Sequence, residues 1–119
     1  MANEYYETFD EFGADIDDAG GVLLTTMGVL RDVHGADKLG VHIRRAIKDQ
    51  LRSRGIGTLP EELPTYQHEA VRLFRLGSPI EAVITAVLHP SENGDETLRR
   101  TAGSDAQEVL NQIRQLVCG

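Results

Sequence analysis

The chain is poor in several features that mark whole protein classes. It has one cysteine, Cys118, so no internal disulfide and no cysteine-built structural zinc site can form. It has no tryptophan, three tyrosines and three phenylalanines, so an aliphatic core of Leu, Ile, Val and Ala is expected. No run approaches the roughly 18 apolar residues that a membrane-spanning helix needs. The first residues are acidic rather than basic followed by apolar, which is not the pattern of a signal or transit peptide. A cytoplasmic protein with no membrane partner is therefore expected. Walker-type phosphate loops are missing too, because no glycine cluster leads into a Lys-Ser/Thr pair.

What remains is a 119-residue chain, the size of one domain, with 40% apolar and 26% charged residues. Its net charge of −7 hides a strong segregation. Residues 1–30 carry seven carboxylates and no Lys or Arg. Residues 31–54 carry seven basic groups against Asp32, Asp37 and Asp49. The remainder is acidic again. Global acidity argues against generic affinity for nucleic acid, whereas a local basic block is compatible with an anion-binding face.

The organisation expected is an acidic N-terminal arm over 1–21 and a single helical domain over 22–119. In the arm, Tyr5, Tyr6, Phe9, Phe12 and Ile16 have some helical spacing, so a short amphipathic helix and a mobile arm are both open. Residues 22–33 are strongly apolar. Leu23, Met27 and Leu30 share one face, which predicts a buried helix whose Gly28 permits close packing and whose C-cap is Gly35. Thr25 and Thr26 on that helix are expected to bond back to carbonyls rather than act as nucleophiles.

Residues 37–54 are the most informative. At roughly 100° per residue, Arg44, Lys48, Arg52 and Arg45 fall near 0°, 40°, 80° and 100°. Leu39, Ile43, Ile47 and Leu51 fall on the opposite side. This predicts a helix starting at 41 or 42, with one apolar and one cationic face, closed by Gly55. Gly40 marks a break after a short helix over 36–39. Residues 56–65 read as a loop with one turn at Glu61-Glu62. Residues 66–76 fit either a helix capped by Thr65 or a strand over 71–76, and length favours the helix. Ser78, Pro79 and Glu81 give a helix start with a capping box. Pro90 ends that helix, a single turn follows over 95–101, and a last helix begins at Ser104. Ala106, Val109, Leu110, Ile113, Leu116 and Val117 form one stripe on it, which either packs into the core or joins two copies as a homodimer through 104–117.

The stretch from His34 to Pro60 resembles bacterial winged-helix modules found with restriction-type or ligand-sensing domains. The residues that carry the resemblance are Gly35-Ala36, Lys38, Gly40, Ile43, Ile47, Leu51, Gly55-Ile56 and Thr58 with Pro60. It implies a second helix near Ala36–Leu39, a recognition helix over 42–54 and a wing within 56–76.

The fold expected is therefore mostly α, a compact domain of five or six helices with a helix-turn-helix-like unit. A short two-stranded wing near 56–76 is the open alternative. The first functional expectation is a small non-enzymatic DNA-binding or regulatory protein without a cofactor. Lys38, Arg44, Arg45, Lys48, Arg52 and Arg54 would make the double-stranded DNA contacts, with Arg to guanine edges and Lys to phosphate. Two other readings of the basic face stay open: a solvated surface, or a dock for the acidic arm. The alternative function is a protein-interaction adaptor or homodimeric scaffold, and a third is a subunit of a larger enzyme assembly. Metal and nucleophile candidates are thin. His34 and His42 flank Asp37 without the i, i+4 pairing of a helical metal site, and Cys118 has no cationic flank.

Overall fold

A computed structural model describes residues 7–102 and 113–115. The chain divides into two compact units, Met1–Leu76 and Gly77–Gly119.

The first unit opens with a 3-10 turn, Phe9–Glu11, that runs into α1, Phe12–Asp18. Of the two outcomes open for this acidic stretch, the described part forms the amphipathic helix. Phe9, Phe12 and Ile16 reach the core, and Phe12 and Ile16 are fully buried at i, i+4 spacing. The carboxylates stay outside. Arg75 grips Asp17 with two bonds, from Nε to Oδ1 at 3.1 Å and from Nη2 to Oδ2 at 3.0 Å. That hydrogen-bonded cation holds the Asp17 carboxyl below its ordinary range and raises Arg75 in turn.

The expected helix over 22–33 is instead two elements. Strand β1 spans Val22–Thr26 and helix α2 spans Met27–His34. A continuous apolar run fits a helix and a strand equally well by spacing, and pairing with a distant strand decides this one. Thr26 does not bond back to a carbonyl: its hydroxyl caps α2 by accepting from the Val29 N–H at 3.3 Å. Gly35 closes α2 in the left-handed region, at φ 84°. No helix forms over 36–39, and the next helix, α3, spans Val41–Ser53. Gly55, also at positive φ, turns the chain into strand β2, Ile56–Leu59.

The helix favoured over 66–76 is instead strand β3, Ala70–Arg75. It is the central strand of a three-stranded antiparallel sheet ordered β1-β3-β2. Val22 pairs with Phe74 and Thr26 with Ala70 on one side, and Ile56 pairs with Arg75 and Leu59 with Arg72 on the other. The mostly-α expectation is thus corrected to six helical segments plus this sheet among the described residues. The expected wing region is a hairpin of β2 and β3 joined by the loop 60–69, with β1 as a third strand. The alternation of β3 explains the outcome. Val71 and Leu73 point into the core with Ile56, Met27, Leu30, Ile47 and Leu51, while Ala70 and Arg72 face outward. On the outer face Phe74 lies across Gly57, where an added Cβ would stand 2.6 Å from its ring.

The second unit contains α4, Pro79–Leu88, and α5, Glu92–Ala102. Ser78 accepts from the Glu81 N–H at 3.3 Å, and Glu81 reaches back to the Gly77 N–H at 2.9 Å, one residue further than a strict capping box. The single turn expected over 95–101 is a full helix, started by Ser91, which accepts from the Gly94 N–H at 2.9 Å. Gly94 lets α5 approach α4: a Cβ there would stand 3.1 Å from the Ala86 Cα. Ala86, Val87 and Leu98 form a small core on which Val83 and Ile113 pack. Apart from 113–115, the expected helix from Ser104, its homodimer stripe and Cys118 lie outside the described residues.

Candidate nucleic-acid interface

Helix α3 is amphipathic as its spacing requires. Ile47 and Leu51 are fully buried, and Ile43 packs beside them. The cationic side is not uniform. Arg44 is half-buried, and it donates from Nε to the Leu39 carbonyl at 3.1 Å and from Nη1 to the Leu63 carbonyl at 3.3 Å. Lys48 donates from Nζ to the Glu61 carbonyl. Arg54 is held by Asp10, by the Gln50 carbonyl and side-chain oxygens, and by the face of the Phe9 ring 5.8 Å away. The acidic N-terminal segment therefore meets this region at Arg54. Lys38, Arg45 and Arg52 are exposed and, among the described residues, their side chains make no hydrogen bond or ion pair. Of the six residues expected to contact DNA, three are engaged inside the fold and three remain open.

Sequence reasoning missed the reason for that division, which is the loop 60–69. Leu63 is buried in the core and anchors its first half. Its second half folds over the start of α2. The Gly28 N–H donates to the Gln67 carbonyl at 2.8 Å and the Met27 N–H to the Glu69 carbonyl at 3.0 Å. These bonds satisfy two N–H groups that the first turn of a helix leaves without partners. Arg31 donates to the Gln67 side chain at 2.7 Å. Gly28 suits this close approach, since a Cβ would stand 3.1 Å from the Gln67 oxygen, a tight contact that the loop would have to yield to. The loop is thus fastened to both helices. It presents Tyr66, 65% exposed, stacked on His68 at 5.9 Å. The available signals were Leu63 as a lone apolar residue between prolines and Gly28 within an apolar run, and neither names its partner.

Between α3 and the start of this loop lies an open cleft of about 430 Å³. Val41, Arg44, Arg45, Lys48, Glu62 and Leu63 line it. The first turn of α3 lies beside it, and Gly40 at the N-cap supplies no side chain to that turn. Carboxylates are near: Asp49 shares the exposed side of α3, and Glu61 and Glu62 are exposed on the loop.

The other chemical candidates do not assemble into a site. His34 packs against Phe9 at 6.3 Å. Thr25 is buried in β1. Among the described residues no group of three His, Cys, Asp or Glu side chains is placed to hold a metal ion. Among them, too, no helix is long and apolar enough to cross a membrane. No family model, curated protein or solved structure matches the chain.

Proposed function

We propose that the first unit is a winged-helix DNA-binding module of a cytoplasmic, non-enzymatic regulator. The observation that carries this reading is the arrangement around α3. A helix over Val41–Ser53 followed by a hairpin of β2 and β3 supports the recognition helix and wing that the winged-helix resemblance implies, although its second helix near 36–39 is absent and α2, Met27–His34, is the helix that precedes α3. This arrangement leaves the side chains of Arg45 and Arg52 exposed on α3 and, among the described residues, unpaired, with Lys38 just ahead of the helix. In this reading α3 is the recognition helix and the hairpin loop 60–69 is the wing. Lys38, Arg45 and Arg52 meet phosphate and base edges. Arg44 and Lys48 hold the loop, and Arg54 holds the N-terminal segment.

The test is fluorescence anisotropy with a random duplex at two salt concentrations. With at most three phosphate contacts, the log–log salt slope is no steeper than about −2.7. Arg45→Glu with Arg52→Glu abolishes binding if the reading holds. Absence of binding by the folded wild type at low salt overturns it.

A second reading, a protein-interaction adaptor, is favoured by one observation. The exposed carboxylates of Asp49, Glu61 and Glu62 sit around the same cations, so a partner with mixed charge suits this face as well. Capture of a protein that survives nuclease treatment and is lost in the same double variant supports that alternative.

A further inference from the structure

The geometry points to a second use of the cleft between α3 and residues 61–63, as a binding site for a small organic oxyanion: a carboxylate or phosphate group carried on an apolar body. Three observations carry it. The residues lining the cleft include three cations, Arg44, Arg45 and Lys48, and one carboxylate, Glu62, with the exposed Asp49 and Glu61 nearby. Two of those cations are already immobilised. Arg44 uses two of its five N–H groups on the Leu39 and Leu63 carbonyls, and Lys48 uses one of its three on Glu61. Their side-chain ordering is therefore supplied by folding rather than by ligand binding, and N–H donors remain on both. The side chain of Arg45, the third cation, makes no bond among the described residues.

The third observation is Val41, which is 46% exposed and lines the same cleft. It is the exposed apolar surface beside the cations, since Leu63, though part of the lining, is buried in the core. An inorganic anion would use only the charged part of this surface. A molecule with an apolar body also covers Val41, and the cleft volume lies within the range of small-molecule sites. The first turn of α3 adds its positive dipole end to the same place. This inference does not rest on DNA binding, and its test contains no DNA, so either can fail alone.

The full chain, labelled with ¹⁵N, is titrated with phenyl phosphate, inorganic phosphate and neutral benzamide at fixed ionic strength. Phenyl phosphate is expected to give saturable amide shifts confined to residues 40–48 and 61–63, and to bind about tenfold tighter than inorganic phosphate. Arg45→Gln, an exposed position outside the core, weakens phenyl phosphate by about tenfold. Val41→Ser brings phenyl phosphate down to the level of inorganic phosphate. Non-saturable shifts overturn the proposal. So do equal shifts from benzamide, equal affinity for the two phosphates, or binding unchanged in both variants.

Discussion

Two neighbouring arginines on one helix provide a sharp test of how the basic face is built. Arg44→Met and Arg45→Met remove the same charge and keep a similar aliphatic stem. The first removes two part-buried, charge-assisted bonds, to Leu39 and Leu63 carbonyls. With each discounted for partial exposure to about 1 kcal/mol, the loss is about 2 kcal/mol. The second removes no bond, so its effect on stability stays within about 0.5 kcal/mol. Urea denaturation reads this directly. At a slope of about 1–2 kcal/mol/M, Arg44→Met lowers the midpoint by about 1–2 M and Arg45→Met leaves it in place. Hydrogen exchange adds a local readout. Loosening the first half of the loop transmits to its second half, so the Met27 and Gly28 amides, bonded to Glu69 and Gln67 carbonyls, exchange faster in Arg44→Met only. Equal midpoints for the two variants, with unchanged protection at Met27 and Gly28, would refute the assignment of Arg44 to the loop.

Thr58→Val is expected to stabilise the first unit by about 1 kcal/mol, because the buried Thr58 hydroxyl has no hydrogen-bond partner among the described residues and valine keeps its shape in the strand; a lowered melting temperature sinks this. Phe12→Ala is expected to cost about 3–5 kcal/mol, so removing residues 1–20 unfolds the unit rather than uncovering a binding face, as circular dichroism of the truncated chain would report. Asp17→Asn is expected to flatten part of the acid limb of the stability curve. The folded-state carboxyl is held below its ordinary 3.8 by Arg75, so the pair's contribution is present above that value and lost as pH falls through the depressed one. Identical acid titrations of variant and wild type by fluorescence or circular dichroism would remove the pair from the account.

The site was legible in part. The amphipathic α3 followed from period alone, because Ile43, Ile47 and Leu51 recur on one face and the basic residues on the other. The fate of each cation did not follow from it. Arg44 and Arg45 differ by one residue and about 100° of helix rotation, and only the docked loop distinguishes them. Leu63 had no readable role, and Gly28 was readable as a site of close packing but not as the seat of Gln67, since each acts through a partner more than 15 residues away.

The sequence by itself determined the features whose chemistry closes within a few residues. Gly35 caps α2 through positive φ, and Ser78, Pro79 and Glu81 start α4. The spacing of Ile47 and Leu51 gives α3 its inner face. Tertiary structure alone decided that 22–26 and 70–75 are strands. Their apolar runs suit either period, and a strand gains its hydrogen bonds only from a partner, here nearly fifty residues away in sequence. The same physics decided which cations face solvent: a carbonyl brought in by a distant loop competes for an N–H group, and local sequence does not encode its arrival.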